Sequence, residues 1–184
     1  MKNFPVQIDG KEYWISRSVA VCGFIFTEDQ GLRILAIKRG KGCPDNIGKW
    51  CCPCGYIDYD ETLLQACMRE IKEETDLTVD PSSLNFSHID SDPKANRQNI
   101  TISYWSFKSS YAGQTVTGAF ADKDEVDDVE WISIGELNKY EWAFNHDCLI
   151  MRVALNTLYP MLSKETKRRF KDILKERDFL LNHA

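Results

Sequence analysis

The stretch from Gly55 to Leu77, GYIDYDETLLQACMREIKEETDL, constrains the fold of this chain more than any other. Its part from Thr62 to Thr75 contains no Gly or Pro, which predicts a helix that Asp60 can cap. At about 100° per residue, three glutamates share one face of that helix, and their like charges repel each other. They are Glu70, Glu73 and Glu74. A hard divalent cation with oxygen ligands, such as Mg²⁺, would remove this repulsion.

A solvated acidic helix face is the alternative interpretation of these glutamates, and the spacing of the whole stretch decides against it. The defined positions are Gly55, Glu61, Arg69-Glu70-Ile71, Glu73-Glu74 and Asp76-Leu77. This pattern resembles the Nudix box of the Nudix hydrolases, which has Gly at the position of Asp76. Asp tolerates the left-handed conformation common at a helix end, so we expect a small stability cost and an intact metal site.

The resemblance implies a role for each matching residue. Those expected to hold Mg²⁺, or Mn²⁺ as a substitute, are Glu70, Glu73, Glu74 and Cys54, the last through its backbone carbonyl. Glu73 and Glu74 are also candidates for the proton transfer in catalysis. Arg69 and Glu61 are expected to support these carboxylates by hydrogen bonds rather than to hold the metal. The family usually has Gly in place of Cys54, but a carbonyl survives a change of side chain.

A further carboxylate is expected from the acidic loop between Gly113 and Asp128. Members of the family often use this loop to supply a metal ligand or a base. Glu125, six residues before Trp131, is the favoured residue. Its rivals in the same loop are Asp124, Asp127 and Asp128.

Three residues are expected to contact substrate. Arg39 ends the strand before the box and suits bidentate contact with phosphate, whereas Lys38 beside it is equally well explained as a solvated strand end. Pro93 and Arg97 lie in the segment SDPKANRQNITIS, which resembles the ADP-ribose pyrophosphatase branch of the family. The segment WAFNH, which ends at His146, also resembles that branch, and His146 is expected to be a packed or capping residue.

The order of the remaining elements predicts an α+β or α/β sandwich. The predicted strands are Val19–Phe26, Leu32–Lys38, Asn85–Ile89, Ile100–Phe107 and Val129–Ser133, with the first two forming a hairpin. Ile134–Leu137 opens a short helix, and the predicted terminal helices are Asp147–Tyr159 and Ser163–Leu181. The resemblance implies a mixed sheet between helices. We expect one domain over residues 1–184, with a core at about 18–149 and a helical extension at 150–184.

Composition limits the partners and the compartment. A net charge of −5 gives no footprint for nucleic-acid binding, and no apolar run is long enough to span a membrane. The N-terminus lacks an apolar signal core, so we expect a cytoplasmic protein whose seven cysteines are reduced. Cys51-x-x-Cys54 alone could indicate zinc or redox chemistry, but no second such pair accompanies it. The expected partner is a small-molecule nucleotide, and a homodimer is left open.

The resemblance implies Mg²⁺-dependent hydrolysis of the pyrophosphate bond in a nucleoside diphosphate linked to another moiety. ADP-ribose or a related nucleotide sugar is the favoured substrate. The alternatives within this class are oxidised nucleoside triphosphates and dinucleoside polyphosphates. An alternative of another class is a non-catalytic module that senses nucleotides, although such modules tend to lose the glutamates of the box.

Overall fold

The centre of the fold is a strand, Ser18–Thr27, that pairs with neighbours along both edges. The computed structural model describes residues 3–111, 114, 116 and 124–176, and for residues 174–176 it describes the backbone only. The strands are β1 (Phe4–Ile8), β2 (Lys11–Ile15), β3 (Ser18–Thr27), β4 (Arg33–Arg39), β5 (Trp50–Cys51), β6 (Cys54–Tyr56), β7 (Asn85–Asp90), β8 (Asn99–Lys108) and β9 (Val126–Ser133). The α-helices are α1 (Leu63–Thr75), α2 (His146–Val153) and α3 (Lys164–Glu176). Short segments of 3₁₀ or π-helix lie at Pro81–Ser83, Ile134–Lys139, Ala154–Leu158 and Tyr159–Met161.

A mixed sheet of seven strands has the order β5-β4-β3-β8-β7. β3 and β8 are parallel over their full length, in a register that places Ser18 beside Asn99. The other edge of β3 is shared, because its first half pairs with β6 and its last two residues pair with β4. β9 joins the far edge of β4. β6, the strand before α1, thus lies along the first half of this edge, and this pairing places the segment before α1 against the central strand.

Alternating residues of the central strands divide the core into two layers. Val21 and Ile25 face the cluster that contains Ile71 of α1. Phe24 and Phe26 face the opposite cluster, which contains Ile150 and Met151 of α2, Leu158 of the π-helical segment and Phe170 of α3. Helices therefore cover both faces of a mixed sheet, and the predicted sandwich is confirmed.

The two ends of α1 differ in how well the sequence predicts them. Thr62, and not Asp60, is the N-cap, because its side chain accepts from the Gln65 amide while the Gln65 side chain accepts from the Thr62 amide. This reciprocal pair is a capping box. At the other end Asp76 is left-handed, with φ at 58°, and its amide donates to the Lys72 carbonyl. The expected conformation at the position where the family has Gly is thus confirmed.

Several other element bounds differ from the predictions. β9 begins at Val126, so the predicted acidic loop is shorter, and part of it lies outside the described residues. The hairpin of β1 and β2 was not predicted as a separate two-stranded sheet. Ser163 caps α3, as predicted, by accepting from the Thr166 amide at 3.1 Å. The predicted end of that helix, residues 177–181, lies outside the described residues. None of the helices within the described ranges has the length and hydropathy that crossing a bilayer requires.

Candidate active site

Arg69 is the centre of a hydrogen-bond network that joins α1 to the segment before it. Its Nη2 and Nε donate to the two carboxylate oxygens of Glu61, at 2.6 and 3.0 Å, and Nη2 also donates to the Tyr56 carbonyl at 2.8 Å. Its Nη1 donates to Glu70 at 2.7 Å and to Glu73 at 3.0 Å. The bonds from Arg69 lower the pKa of Glu61. Arg69 thus links Glu61 to two glutamates of α1 by charge-assisted hydrogen bonds, and the support of a metal site by this pair stays a prediction.

The carboxylate of Glu70 lies directly against the backbone of β6. A Cβ at position 55 would overlap all three atoms of that carboxylate, so Gly55 is required for this close approach. Burial raises the pKa of Glu70; Arg69 opposes this, and the nearby charges of Glu73 and Glu125 raise the pKa further. Glu70 is therefore a carboxylate held in a crowded, anionic environment.

Glu74 is the most buried glutamate of the helix. It is 8% exposed, and its Oε2 accepts a hydrogen bond from the Cys54 amide at 2.9 Å. Burial raises the pKa of Glu74 well above its usual value, and Cys54 and Glu70 raise it further. Two glutamates one helical turn apart thus both approach the Cys54-Gly55 backbone, which explains why the box begins with a residue lacking a side chain.

The backbone of Glu125 is fixed beside these carboxylates by a glycine-containing loop after β4. The amide of Gly40 donates to the Glu125 carbonyl at 2.7 Å, and Cys43 Sγ donates to the same carbonyl at 3.2 Å. Cβ atoms at Gly40 or Gly42 would overlap the Asp124 backbone, so the two segments are in direct contact. Glu125 is close enough to Glu70 to raise its pKa, which brings these two of the predicted site residues together.

Arg39 lies near the carboxylates but is largely covered. Its guanidinium donates to the backbone carbonyl and to the side chain of Asp45, at 3.1 Å in each case, and lies 5.0 Å from the centroid of the Phe144 ring. Arg39 is only 7% exposed. It also lies close enough to Glu74 to lower the pKa of that carboxyl, against the larger effect of burial. Contact between Arg39 and a phosphate stays a prediction.

Pro93 and Arg97 are both exposed in the loop between β7 and β8. Arg17 holds this loop by donating to the carbonyls of Ser91 and Asn96, at 2.6 Å each, and to that of Asn99. The Tyr56 hydroxyl donates to the Asn99 side chain at 3.2 Å, which links the base of the loop to β6. The loop therefore begins beside the site, and the contacts of Pro93 and Arg97 with substrate stay predictions.

Two features of the site were not found from the sequence. One is the loop clamp of Arg17, for which the sequence gives no signal. The other is the glycine contact with Asp124, for which Gly40 and Gly42 are a weak signal. His146 is packed, as expected: its Nδ1 accepts from the Cys52 amide at 3.0 Å, and burial lowers its pKa to about 3.

The chemistry of the donor set fits a hard divalent cation. Three carboxylates and a backbone carbonyl supply oxygen ligands, and the crowding of Glu70 with Glu74 is the repulsion that a cation would relieve. Within residues 3–111, 114, 116 and 124–176, no three His, Cys, Asp or Glu side chains are arranged to hold a metal. The carboxylates instead accept hydrogen bonds from Arg69 and from the Cys54 amide. All seven cysteines have free thiols.

The fold and this carboxylate cluster define a class of protein, and comparison with known proteins gives the same class. Residues 16–153 match the family model described as the NUDIX domain. The chain therefore belongs to the NUDIX family. It is a hydrolase of the pyrophosphatase type, as the box pattern predicts.

Individual relatives carry names related to ADP-ribose. The chain is 30% identical over 150 residues to the ADP-ribose pyrophosphatase of Methanocaldococcus jannaschii, covering 77% of each chain. Its fold is similar to the NUDIX domain of Shewanella oneidensis NrtR complexed with ADP ribose, with a TM-score of 0.64, 24% identity and coverage of 76% of this chain and 87% of that one. It is also similar to a bifunctional NMN adenylyltransferase/ADP ribose pyrophosphatase from Francisella tularensis, complexed with AMP and a Mn ion. That match has a TM-score of 0.63 and 22% identity, and covers 75% of this chain and 41% of that one. The two structural similarities bear on the fold alone.

Proposed function

We propose that this chain hydrolyses the pyrophosphate bond of ADP-ribose or a related nucleotide sugar in a Mg²⁺-dependent reaction. The observation that carries the proposal is the cluster of Glu70, Glu73 and Glu74, organised by Arg69 against the Cys54-Gly55 backbone. The name of the Methanocaldococcus relative supports the choice of ADP-ribose. The products would be AMP and ribose 5-phosphate.

Glu70, Glu73 and Glu74 would hold the metal, together with the carbonyl of Cys54. NUDIX hydrolases generally use divalent metals, and the Francisella structure contains a Mn ion, so Mn²⁺ is expected to substitute. When bound, the cation offsets the charge of the phosphate oxygens and lowers the pKa of a water molecule. The chain itself fixes the carboxylates through Arg69 and through the Cys54 amide.

The proton of the attacking water requires a carboxylate at the edge of the cluster. Glu125 suits this role because Gly40 and Cys43 hold its backbone while its charge acts on Glu70. Glu73 and Glu74 are the alternatives from the box. A base must lie within hydrogen-bond reach of the water, and the bonds from Gly40 and Cys43 hold the backbone of Glu125 near the cluster.

Ligand sensing without turnover is a second candidate. It is favoured by the fold similarity to the NrtR domain, whose structure contains ADP ribose. The complete set of glutamates argues against it, because a sensor has no need for crowded carboxylates around a cation.

Turnover by the purified chain separates these candidates. We expect kcat/KM for ADP-ribose to exceed that for UDP-glucose, dGTP and 8-oxo-dGTP at fixed Mg²⁺, and activity to disappear with EDTA and return with Mg²⁺ or Mn²⁺. Arg97→Ala should reduce kcat/KM for ADP-ribose more than for dGTP, since a remote contact assists catalysis only if it strengthens in the transition state. A clear preference for a triphosphate would refute the assignment of ADP-ribose as the substrate. Tight ADP-ribose binding with no turnover would favour ligand sensing over hydrolysis.

A further inference from the structure

Phe144 has an unusual backbone conformation beside the carboxylate cluster. It lies between the 3₁₀ turn Ile134–Lys139 and α2, with φ at 58°, and the next residue, Asn145, has φ at 55°. The left-handed region is a genuine outlier for a bulky residue. Such residues cost free energy and concentrate at functional sites, where the surrounding structure holds them in place.

Backbone hydrogen bonds hold this pair in place from both sides. Before the pair, the Ala143 amide donates to the Trp50 carbonyl at 2.8 Å, and the Trp50 amide donates to the Glu141 carbonyl at 2.8 Å. After the pair, the His146 amide donates to the Ala143 carbonyl at 3.1 Å, and the His146 ring accepts from Cys52. The strained backbone is therefore anchored to β5 and to the residue that follows β5.

The Phe144 ring is fixed in orientation yet open to solvent. The Arg39 guanidinium lies 5.0 Å from the ring centroid, within the range of a cation–π contact, and the His146 ring centroid lies 5.5 Å away. Phe144 is still 40% exposed, whereas Arg39 is 7% exposed. The phenyl ring, and not the guanidinium, is thus the group presented to a ligand.

The exposed ring borders the site through Arg39. His146, which the ring also contacts, accepts from the amide of Cys52, two residues before the Cys54 amide that donates to Glu74. The residue after Arg39, Gly40, donates to the Glu125 carbonyl. A ligand with its phosphates at the carboxylates therefore has an aromatic surface beside it.

We propose that Phe144 is the stacking platform for the nucleobase of the substrate, and that Arg39 positions the ring rather than contacting the base. A flat aromatic face binds any base by stacking, and the ring is already ordered by Arg39 and His146 before the ligand arrives. The inference rests on the proposed function only in requiring a nucleotide ligand.

Binding of AMP and of ribose 5-phosphate, measured by calorimetry, tests the platform without turnover. Phe144→Leu should weaken AMP binding about 5- to 150-fold, the range expected for loss of one base–aromatic stack. Ribose 5-phosphate binding should not change, because that ligand has no base. Phe144→Trp should bind AMP at least as tightly as wild type. Phe86→Leu is the matched control, since Phe86 is 58% exposed on β7, three strands away from β4 across the sheet.

The signal from 1,N6-ethenoadenosine monophosphate gives a second readout, because stacking quenches its fluorescence. Quenching by wild type and by Phe144→Trp, but not by Phe144→Leu or Phe144→Ala, is expected. Equal AMP binding in wild type and Phe144→Leu, equal weakening of both ligands, or no AMP binding to wild type would each overturn the platform. ADP-ribose turnover, measured in parallel, reports on the proposed function separately. If wild type has no turnover but its AMP binding depends on Phe144, the proposed hydrolase activity is refuted and the stacking platform is not.

Discussion

Replacing Arg69 by Met should reveal how much of the stability of α1 and the site depends on one guanidinium. The substitution keeps the length of the side chain but removes every donor. Glu61 then loses both bonds from Arg69, and the Tyr56 carbonyl loses its donor. Glu70 and Glu73 lose the positively charged guanidinium group with which both form ion pairs.

The magnitude follows from how deeply this network is buried. Removing one partner of a fully buried ion pair costs about 3–5 kcal/mol, and an exposed pair contributes about 0–1 kcal/mol. The side chains of Arg69 and Glu61 are 27% and 14% exposed, which places the pair between these limits. We therefore expect the free energy of unfolding to fall by about 2–3 kcal/mol, and Tm by roughly 4–12 °C for a chain of this size.

Urea unfolding followed by circular dichroism measures this loss, and Arg169→Met is its matched control. Arg169 donates to Glu165 at 2.6 Å, the same length as the shortest bond of Arg69, but these side chains are 57% and 64% exposed. The control should lose less than about 0.5 kcal/mol. An Arg69→Met protein that unfolds at the same urea concentration as Arg169→Met would refute the view that Arg69 organises the site.

Three further predictions concern single carboxylates. Glu74→Gln keeps the shape of the side chain but removes a charged ligand, so kcat should fall by at least about a hundredfold in a steady-state assay. Glu125→Gln should lower kcat while Mg²⁺ binding, measured by calorimetry, persists, and its effect should exceed that of Asp124→Asn. Glu28→Gln should lower the free energy of unfolding by about 1 kcal/mol at pH 7, because Glu28 accepts from the Ser163 amide at 2.8 Å at the start of α3.

The Glu28 effect has a defined pH dependence. Burial raises the pKa of Glu28, but hydrogen bonds from Ser163 and Thr166 lower it by more, so the folded-state pKa lies below the unfolded one. The stabilisation is therefore present above the unfolded pKa and is lost as pH falls through the folded pKa. Stability curves of wild type and Glu28→Gln that stay parallel through acid pH would contradict this account.

For Glu74→Gln, near-normal turnover in a folded variant would contradict the metal assignment. For Glu125→Gln, a larger effect of Asp124→Asn would assign the base to Asp124 instead.

Features governed by neighbours in the sequence could be predicted, because helix geometry and end conformations are local. The shared face of the three glutamates and the left-handed Asp76 both follow from spacing and residue type. The helix start could also have been predicted: Thr62 and Gln65 form the T-x-x-Q capping box, which satisfies two amides where Asp60 would satisfy one.

Contacts between distant segments could not be predicted from the sequence. The bond from Gly40 to Glu125 joins backbone to backbone, so no side-chain pattern encodes it beyond the glycine itself. The burial of Arg39 depends on Asp45 and on Phe144, which is far away in the chain. An arginine at the end of a strand is expected to be exposed to solvent, and only the contacts made in the tertiary structure bury it.

The parallel pairing of β3 with β8 has a consequence for the order in which the protein can assemble. Ser18 and Asn99 are adjacent in space only after the chain between them has closed a long loop, and such non-local contacts form slowly. α1 and its capping box need no such closure. During refolding, helical structure should therefore be able to appear before any catalytic activity, since Glu125 reaches Glu70 only when the last strand has joined β4. Recovered turnover is thus a reporter of completed topology, and a destabilised variant would lose it before it loses its helix content.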